Sequence, residues 1–316
     1  MLLAFFLTIM LFDGISGEQH ITISTWTGTF FVSLLLIFGI GIVDDLIGLD
    51  AKVKFTVQII ASLLIPFSGL YINDLYGLFG IHTIPFAIGM PLTVFVMVYI
   101  MNAINLIDGI DGLCSGLSFM ALGGFLVCFT NEGIYTYSIL IAGLMGVLTA
   151  YFFYNFYGNA EKNRKIFMGD SGSLSLGFIL AFLFVKYAMN NPNVMPFRID
   201  ALFWPYTLLI VPVFDVTRMI LVRFKHHTAI FSADKNHIHH KLMRMGLSQH
   251  QALGVIISLS LAFLLVNILL IQFLSITWIV VCDIAIYIAF HEVVNHLIHK
   301  KDLPVFAENN PDEATD

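Results

Sequence analysis

Long apolar runs constrain this sequence more than any other feature. Several of them approach the roughly 20 residues that an α-helix needs to cross the hydrocarbon core of a bilayer. The composition agrees, because 58% of the 316 residues are hydrophobic and 11% are charged, whereas soluble domains hold about 25% charged residues. The sequence therefore predicts an all-α, polytopic membrane protein.

The spacing of these runs predicts about ten membrane-spanning helices in a single embedded domain over residues 1–300. A polar, acidic tail follows at 301–316, and we expect it to be disordered. One longer polar loop interrupts the pattern at about 223–250. The predicted helices cover residues 1–13, 27–43, 53–70, 86–104, 113–130, 135–155, 172–189, 200–222, 251–272 and 274–298.

Basic residues are divided unequally between the two sides of this arrangement. If Asp44 faces the cytoplasm, only Lys186 and Arg198 of the fifteen lysines and arginines fall near the opposite face. This is the positive-inside pattern. The polar motifs fall on the same side as Asp44, so the cytoplasmic face is predicted to carry the chemistry.

The first polar motif is the pair Asp44-Asp45, which ends an apolar helix. Two carboxylates at a helix C-terminus oppose the helix dipole and require compensation. Because adjacent side chains point in different directions, one carboxylate could bind a cation while the other acts as a base. A solvated helix terminus is the alternative.

The second motif places four polar side chains three residues apart, at Asn102, Asn105, Asp108 and Asp111. Helical geometry predicts that they form one slowly drifting stripe. The glycine after each aspartate allows the backbone to break or to approach a ligand closely. Polar groups at a membrane boundary are costly unless they bind something, which favours a functional site over a polar helix end.

The third motif opens the apolar helix that begins near residue 172. Asp170 and Ser171 lie among glycines there, and free N–H groups at such a helix start form a natural seat for phosphate. A carboxylate beside them suits a magnesium ion that bridges to a pyrophosphate. An ordinary helix N-cap is the alternative.

The fourth motif is the histidine tract formed by His237, His239 and His240. Its spacing resembles a zinc-binding tract. The neighbouring Lys235 and Lys241 would repel a metal ion, however, and they favour an anion to which the histidines donate hydrogen bonds. Recognition of a phosphate or sugar is the preferred interpretation, with zinc and an inert interfacial loop as alternatives.

Taken in this order and spacing, the four motifs resemble those of the polyprenyl-phosphate N-acetylhexosamine-1-phosphate transferases over residues 1–272. The histidine tract is similar to that of the WecA-type branch, which makes undecaprenyl-pyrophosphoryl-N-acetylglucosamine. The muramoyl-pentapeptide transferases, a sister branch, carry three consecutive histidines instead.

The resemblance implies a role for each matching residue. Asp44 and Asp45 correspond to a pair that acts at the lipid phosphate as base or metal-associated acid, and Asp170 corresponds to the magnesium ligand. The other matching positions are Lys54 as a phosphate contact, Asn105, Asp108 and Asp111 in catalysis and nucleotide binding, Asn155 and Phe167 in the uridine pocket, and His237, His239 and His240 at the sugar phosphate.

The implied reaction is attack of undecaprenyl phosphate on a UDP-N-acetylhexosamine, most simply UDP-GlcNAc, with release of UMP. It requires Mg²⁺, for which Mn²⁺ could substitute, and it takes place at the cytoplasmic face of a bacterial inner membrane. No nucleic-acid partner is implied, and a homodimer is left open. The lipid-linked product could feed an O-antigen and thus lipopolysaccharide, a common surface antigen, a teichoic acid or a capsule.

The chain departs from the family at its start. Relatives have a further helix and a basic cytoplasmic loop before the region that matches Met1, so we expect both to be missing here. A non-catalytic, truncated paralogue is therefore one alternative. A polytopic transporter is another, although its carboxylates should lie near the bilayer midplane rather than cluster at one interface.

Overall fold

The computed structural model of the protein describes residues 25–226 and 236–306. These residues form a helical bundle with one small hairpin. The helices are α1 (Thr25–Ile47), α2 (Ala51–Phe67), α3 (Phe86–Ile107), α4 (Leu113–Asn131), α5 (Tyr135–Phe156), α6 (Gly169–Ala188), α7 (Phe203–Leu208), α8 (Ile210–Lys225), α9 (Ile238–Arg244), α10 (Gln249–Leu270) and α11 (Ile276–His299).

Seven helices in the described ranges are long and apolar enough to cross a membrane, namely α1, α3, α4, α5, α6, α10 and α11. The predicted all-α membrane bundle is therefore confirmed. Helix α2 matches the predicted helix 53–70 but is shorter, at 17 residues. The predicted helix 1–13 lies outside the described residues, so the number ten remains a prediction.

The prediction of one continuous helix over 200–222 is wrong, because the chain breaks at Leu209 between α7 and α8. The backbone of Leu209 leaves the helical region, with φ −112° and ψ 11°. Pro212 has no N–H to donate to the carbonyl of Leu208, and its ring clashes with that carbonyl in a continuous helix. The proline therefore accounts for the break.

A two-stranded hairpin stands in the loop between α2 and α3, where no strand is predicted. Strand β1 (Asp74–Leu78) pairs antiparallel with β2 (Ile81–Thr83), and Leu78 lies opposite Ile81. Gly77 and Gly80 adopt φ of 84° and 76°, which the tight connection requires. The strands are too short to produce a periodic signal in the sequence.

Helix α6 is the centre of the bundle, and it packs against α1 and α3. Small residues recur every four positions along it, at Gly169, Ser173, Gly177 and Ala181. A methyl group at Gly177 would lie 2.8 Å from the Cα atom of Met101 on α3. Small residues at such spacing let two membrane helices approach closely, since packing rather than hydrophobic burial joins helices in lipid.

Aromatic packing and a buried hydroxyl fix α1 on the opposite side of α6. The ring of Phe30 lies 4.5 Å from that of Phe182 and 5.7 Å from that of Phe178, between ring centroids. The hydroxyl of Ser33 donates to the carbonyl of Ala61 on α2 at 2.8 Å. These contacts hold α1 and α2 as a pair beside the central helix.

The two basic residues predicted for the opposite face lie at the end of the bundle away from Asp44. Lys186 is buried, and its ammonium stands 3.6 Å from the ring of Trp26 at the start of α1. Arg198 lies 3.9 Å from the Glu132 carboxylate and packs on Tyr187. An aromatic face and an ion pair thus offset the cost of these two charges.

The first residues of the predicted disordered tail are in fact packed. Arg244 on α9 donates to the carbonyl oxygen of Val305 at 2.9 Å, and the ring of Phe306 stacks on His226 at 4.2 Å. The backbone carbonyl groups of this segment accept hydrogen bonds from the Arg244 guanidinium. The sequence does not reveal this contact, because Arg244 is about 60 positions away along the chain. The rest of the predicted tail, 307–316, lies outside the described residues.

We predict that Gly177→Ala destabilises the bundle, because the added methyl forces α3 and α6 apart. Overpacking of this kind costs about 1–3 kcal/mol of unfolding free energy. The measurement is thermal unfolding of the detergent-purified protein. Gly146→Ala on α5 is the matched control, since nothing lies within 4 Å of its added methyl. Equal melting temperatures for both variants would contradict the close packing of α3 on α6.

Candidate active site

The predicted polar residues meet at one end of the bundle, which we call the site end. The C-terminal ends of α1, α3 and α5 lie there, together with the N-terminal ends of α2 and α6. At its centre the ammonium of Lys54 lies 2.8 Å from Asp44 Oδ2 and 2.9 Å from Asp170 Oδ2. The first and third motifs are therefore joined by one lysine from α2.

The carboxylate of Asp45 has different partners from that of Asp44. Its two carboxylate oxygens accept hydrogen bonds from the backbone N–H groups of Asp170 at 2.7 Å and of Ser171 at 3.1 Å. A carboxylate at a helix N-terminus is favoured by both the free N–H groups and the dipole. The sequence predicted these N–H groups as a phosphate seat, but Asp45 already uses them.

Gly169 makes this capping contact possible. Its φ is +63°, in the left-handed region that favours glycine. A Cβ atom there would also stand 2.8 Å from a carboxylate oxygen of Asp45. Both the backbone conformation and the space at the start of α6 thus exclude a side chain.

Asn105 holds the other side of the Asp170 carboxylate. Its amide nitrogen donates to Asp170 Oδ1 at 2.8 Å and to the hydroxyl of Ser173 at 2.8 Å. Asn102, one turn earlier, donates instead to Gln58 on α2 at 2.6 Å. The carboxylate of Asp170 is therefore fixed between a cation and an amide.

The second motif is not one helical stripe, as the sequence predicted, because α3 ends at Ile107. Asp108 and Asp111 lie in the irregular segment between α3 and α4, where Gly112 takes φ 78°. Burial first, and then the charges of Asp170 and Asp111, raise the pKa of Asp108 to about 6. This carboxyl group can therefore exchange a proton near neutral pH.

Asp111 pairs with Lys165, whose ammonium lies 2.6 Å from its Oδ2 atom. The same ammonium is 5.4 Å from the centre of the Phe167 ring, which is 73% exposed. Phe167 therefore offers an aromatic face next to an ion pair. The sequence did not single out Lys165, because its loop carries several basic residues with no spacing that distinguishes one of them.

Asn155 is buried and uses both ends of its side-chain amide. It accepts from the backbone N–H of Gly112 at 2.7 Å and donates to the carbonyl of Ile166 at 2.9 Å. Asn155 therefore ties the aspartate segment to the segment before α6. It supports the surface around Phe167, and its role in a uridine pocket remains a prediction.

The histidine tract forms the start of α9 and covers the aspartate segment. The ring of His239 packs directly against Gly109, where a side chain would overlap it. Both ring nitrogens of His239 are buried, and neither has a hydrogen-bond partner among the described residues. Burial, and then the charge of His240, lower the pKa of His239 to about 3. His239 is therefore neutral at pH 7, so one of its ring nitrogens can donate a hydrogen bond and the other can accept one.

A buried carboxylate orients the tract. Asp215 on α8 lies 2.8 Å from Nδ1 of His237 and accepts from the backbone N–H of Ile238 at 3.0 Å. Arg218 completes the cluster at 2.9 Å from the same carboxylate. Asp215 was missed as a site residue, although a carboxylate within an apolar run is itself a signal of function.

An apolar groove leads away from Lys54 between α2, α3 and α8, with a cavity of about 350 Å³. Lys54 and Asn105 stand at its polar end, and Arg223 on α8 also lines it. Gln58 and Asn102, which are hydrogen-bonded to each other, line it as well. The rest of the wall is apolar and aromatic, formed by Ala51, Phe55, Phe95, Val98, Tyr99, Leu106, Leu174, Val216, Met219 and Ile220.

In the described part of the chain, no group of three or more His, Cys, Asp or Glu residues could hold a metal ion. This gives the zinc interpretation no support. Magnesium is usually bound through one or two carboxylates and substrate phosphates. The carboxylates of Asp44 and Asp170 both contact one cationic atom, Nζ of Lys54. They are therefore close enough to each other to bind one magnesium ion together.

Several known proteins are similar to this chain in sequence. Residues 26–188 match the family model for glycosyl transferase family 4. The chain is 35% identical over 93% of its length to a protein of Bacillus subtilis named as a probable undecaprenyl-phosphate N-acetylglucosaminyl 1-phosphate transferase. It is 30% identical over 73% of its length to the Yersinia pestis undecaprenyl-phosphate alpha-N-acetylglucosaminyl 1-phosphate transferase.

A decaprenyl-phosphate N-acetylglucosaminephosphotransferase of Mycobacterium tuberculosis is 32% identical over 74% of the chain. The alignments span 78% of the Bacillus protein but 61% of the Yersinia and Mycobacterium proteins. The family match covers more than half of the chain, and it includes the Asp44, Asp108 and Asp170 motifs. The chain therefore belongs to glycosyl transferase family 4.

Proposed function

We propose that this protein transfers N-acetylglucosamine 1-phosphate from UDP-GlcNAc to undecaprenyl phosphate and releases UMP. The observation that carries the proposal is the Asp44–Lys54–Asp170 cluster at the polar end of an apolar groove. Two relatives named as undecaprenyl-phosphate N-acetylglucosaminyl 1-phosphate transferases support the same acceptor and the same transferred group. The product would start a lipid-linked surface glycan, and the basic residues at the site end favour a cytoplasmic active site.

The groove beside Lys54 suits the lipid acceptor. A polyprenyl phosphate combines a long apolar chain with a phosphate monoester head. The aromatic and aliphatic wall of the groove, which includes Phe55 and Phe95, would take the chain. Lys54 would pair with the phosphate, and Arg223 adds a second cation along the same wall.

The surface around Phe167 suits the nucleotide donor. The exposed ring can stack on a planar base, and Lys165 beside it carries the charge that a nucleotide phosphate requires. His239 brings two buried ring nitrogens against Gly109, and neither has a hydrogen-bond partner in the part of the chain that the structure describes. We propose that these nitrogens, with His237 and His240, contact the sugar phosphate.

Asp170, with Asp44, would hold Mg²⁺ or Mn²⁺, which supplies charge neutralisation at the pyrophosphate. Lys54 would then pair with a phosphate oxygen in place of a carboxylate. An oxygen of the acceptor phosphate would attack the β-phosphorus, and the bond from that phosphorus to the UMP oxygen would break. Asp108 could take the last proton of the acceptor phosphate, since its pKa of about 6 is close to that of a phosphate monoester.

The alternative of a transporter has less support from the structure. The ion pairs of Asp44, Asp111 and Asp170 all lie at the site end. Asp283 on α11 is buried between helices, but it accepts hydrogen bonds from Tyr206 at 2.8 Å and Asn267 at 3.0 Å. These bonds join α7, α10 and α11, as interhelical polar contacts in membranes commonly do.

We predict that membranes containing this chain transfer label from UDP-GlcNAc to undecaprenyl phosphate with equimolar release of UMP. EDTA should abolish the transfer, and excess Mg²⁺ should restore it. The measurement is chloroform-soluble radiolabel with a panel of UDP-sugars that includes UDP-GalNAc. A folded protein that transfers none of these sugars would refute the proposal and favour the non-catalytic paralogue.

We predict that Asp170→Asn reduces turnover by at least about 100-fold, the scale expected for loss of an electrostatic contact to the reacting group. The melting temperature should stay close to that of the unchanged protein, because the backbone N–H of residue 170 can still donate to Asp45. The exposed Glu161→Gln variant is the matched control and should keep full turnover. Equal rates for both variants would rule out Asp170 as the metal ligand.

Asp45 should act mainly by positioning α6. We predict that Asp45→Ala costs about 1 kcal/mol of unfolding free energy, the usual loss for a helix cap, while Asp45→Asn, which keeps one acceptor oxygen, costs less. The measurement combines melting temperature with residual turnover. Loss of turnover in Asp45→Asn without any change of melting temperature would instead identify Asp45 as a catalytic residue.

A further inference from the structure

A second cavity, of about 480 Å³, lies on the other side of α8 from the groove. Met219 and Arg223 line the groove, whereas Arg218 and Leu221 line the second cavity. Helix α8 therefore forms a wall between two separate spaces. Helices α9 and α11 form other walls of the second cavity, which takes no part in the proposed reaction.

The polar end of this cavity carries an excess of positive charge. Arg218 lines it but is paired with Asp215. Lys225 and Lys241 contribute two further positive charges, and Glu292 contributes one negative charge. Among the described residues that line the cavity, the charges of Lys225, Lys241 and Glu292 sum to one positive unit.

Lys241 indicates that this charge is incompletely compensated. Its ammonium donates to the side-chain oxygen of Asn295, which is a neutral partner. Burial first, and then the charges of Arg218 and Arg244, lower the pKa of Lys241 to about 8. A nearby anion would raise the pKa of Lys241 again.

His291 provides a second, independent observation. It is 5% exposed, it lines the same cavity, and neither ring nitrogen has a hydrogen-bond partner in the described ranges. A buried polar group without a partner is unfavourable. A ligand oxygen in the cavity would supply the missing partner.

The mouth of the cavity is apolar. Leu221 on α8 and Ile284 and Ile288 on α11 line it, and these side chains are exposed. In a bilayer such side chains face acyl chains. A ligand that fits both the cationic end and the apolar mouth of the cavity needs an anionic head and apolar chains.

We propose that this cavity binds the phosphodiester headgroup of an anionic membrane phospholipid, with its acyl chains along α8 and α11. A phosphodiester carries one negative charge, which matches the net positive charge of the lining residues that the structure describes. The cations lie near the last turns of α8 and α11, at the level expected for headgroups. Because Lys241 lies on α9 with His237 and His239, the bound lipid would also hold the histidine tract in place.

The test is thermal unfolding of the delipidated protein in detergent, titrated with phosphatidylglycerol or phosphatidylcholine. Phosphatidylglycerol should raise the melting temperature in a saturable manner, and phosphatidylcholine should not. The double variant Lys225→Gln with His291→Phe should weaken the apparent affinity at least about tenfold, the scale of one hydrogen bond to a charged group. The matched control is Lys300→Gln with His296→Phe, because both residues lie at the C-terminal end of α11 but outside the cavity.

The outcome does not depend on turnover, because the experiment measures the melting temperature as a function of lipid concentration. His291→Phe keeps an aromatic ring and removes a buried polar group that has no hydrogen-bond partner among residues 25–226 and 236–306, so the lipid-free double variant should melt no lower than the control. Equal stabilisation by both lipids, or an unchanged affinity in the double variant, would overturn the proposal. Equal competition by glycerol 3-phosphate, or a stronger response to undecaprenyl phosphate lost in the same variant, would overturn the assignment to a phospholipid.

Discussion

The contacts that the acidic pair at the end of α1 makes with α2 and α6 are the constraint on which the rest of the structure depends. Asp44 shares the ammonium of Lys54 with Asp170, while Asp45 accepts from the first N–H groups of α6. Separate carboxylates at a membrane boundary would be costly, but together with the lysine and the helix N-terminus they compensate one another. The site residues thus determine how α1, α2 and α6 meet.

Helix α6 transmits this constraint to the bundle. Its first turn carries Asp170, and its small-residue stripe lets α3 approach closely enough for Asn105 to reach that carboxylate. The end of α3 at Ile107 then releases Asp108 and Asp111 into an irregular segment that α9 covers. The geometry of the candidate site and the packing of the helices therefore depend on the same few contacts, and the short helix α9 is held from outside by α8 and α11.

Particular residues show what periodicity could and could not reveal. The need of Asp44 and Asp45 for compensation was predictable from the helix dipole, but their separate partners were not, because Asp170 is more than 120 positions away along the chain. Asp215 and Lys165 were missed for a similar reason. One lies within an apolar run and the other in a loop with several basic residues, and only their contacts with His237 and Asp111 distinguish them.

The sequence by itself determined the membrane helices, the types of polar residue at their ends and the resemblance to a transferase family, because length, hydropathy and motif spacing are local properties. The tertiary structure decided that Asp45 caps α6, that His239 is neutral, that Asn155 ties two segments together and that α8 separates two cavities. Each of these depends on burial and on contacts between distant segments. Desolvation and hydrogen bonding act across space, so they become visible only when the helices are packed.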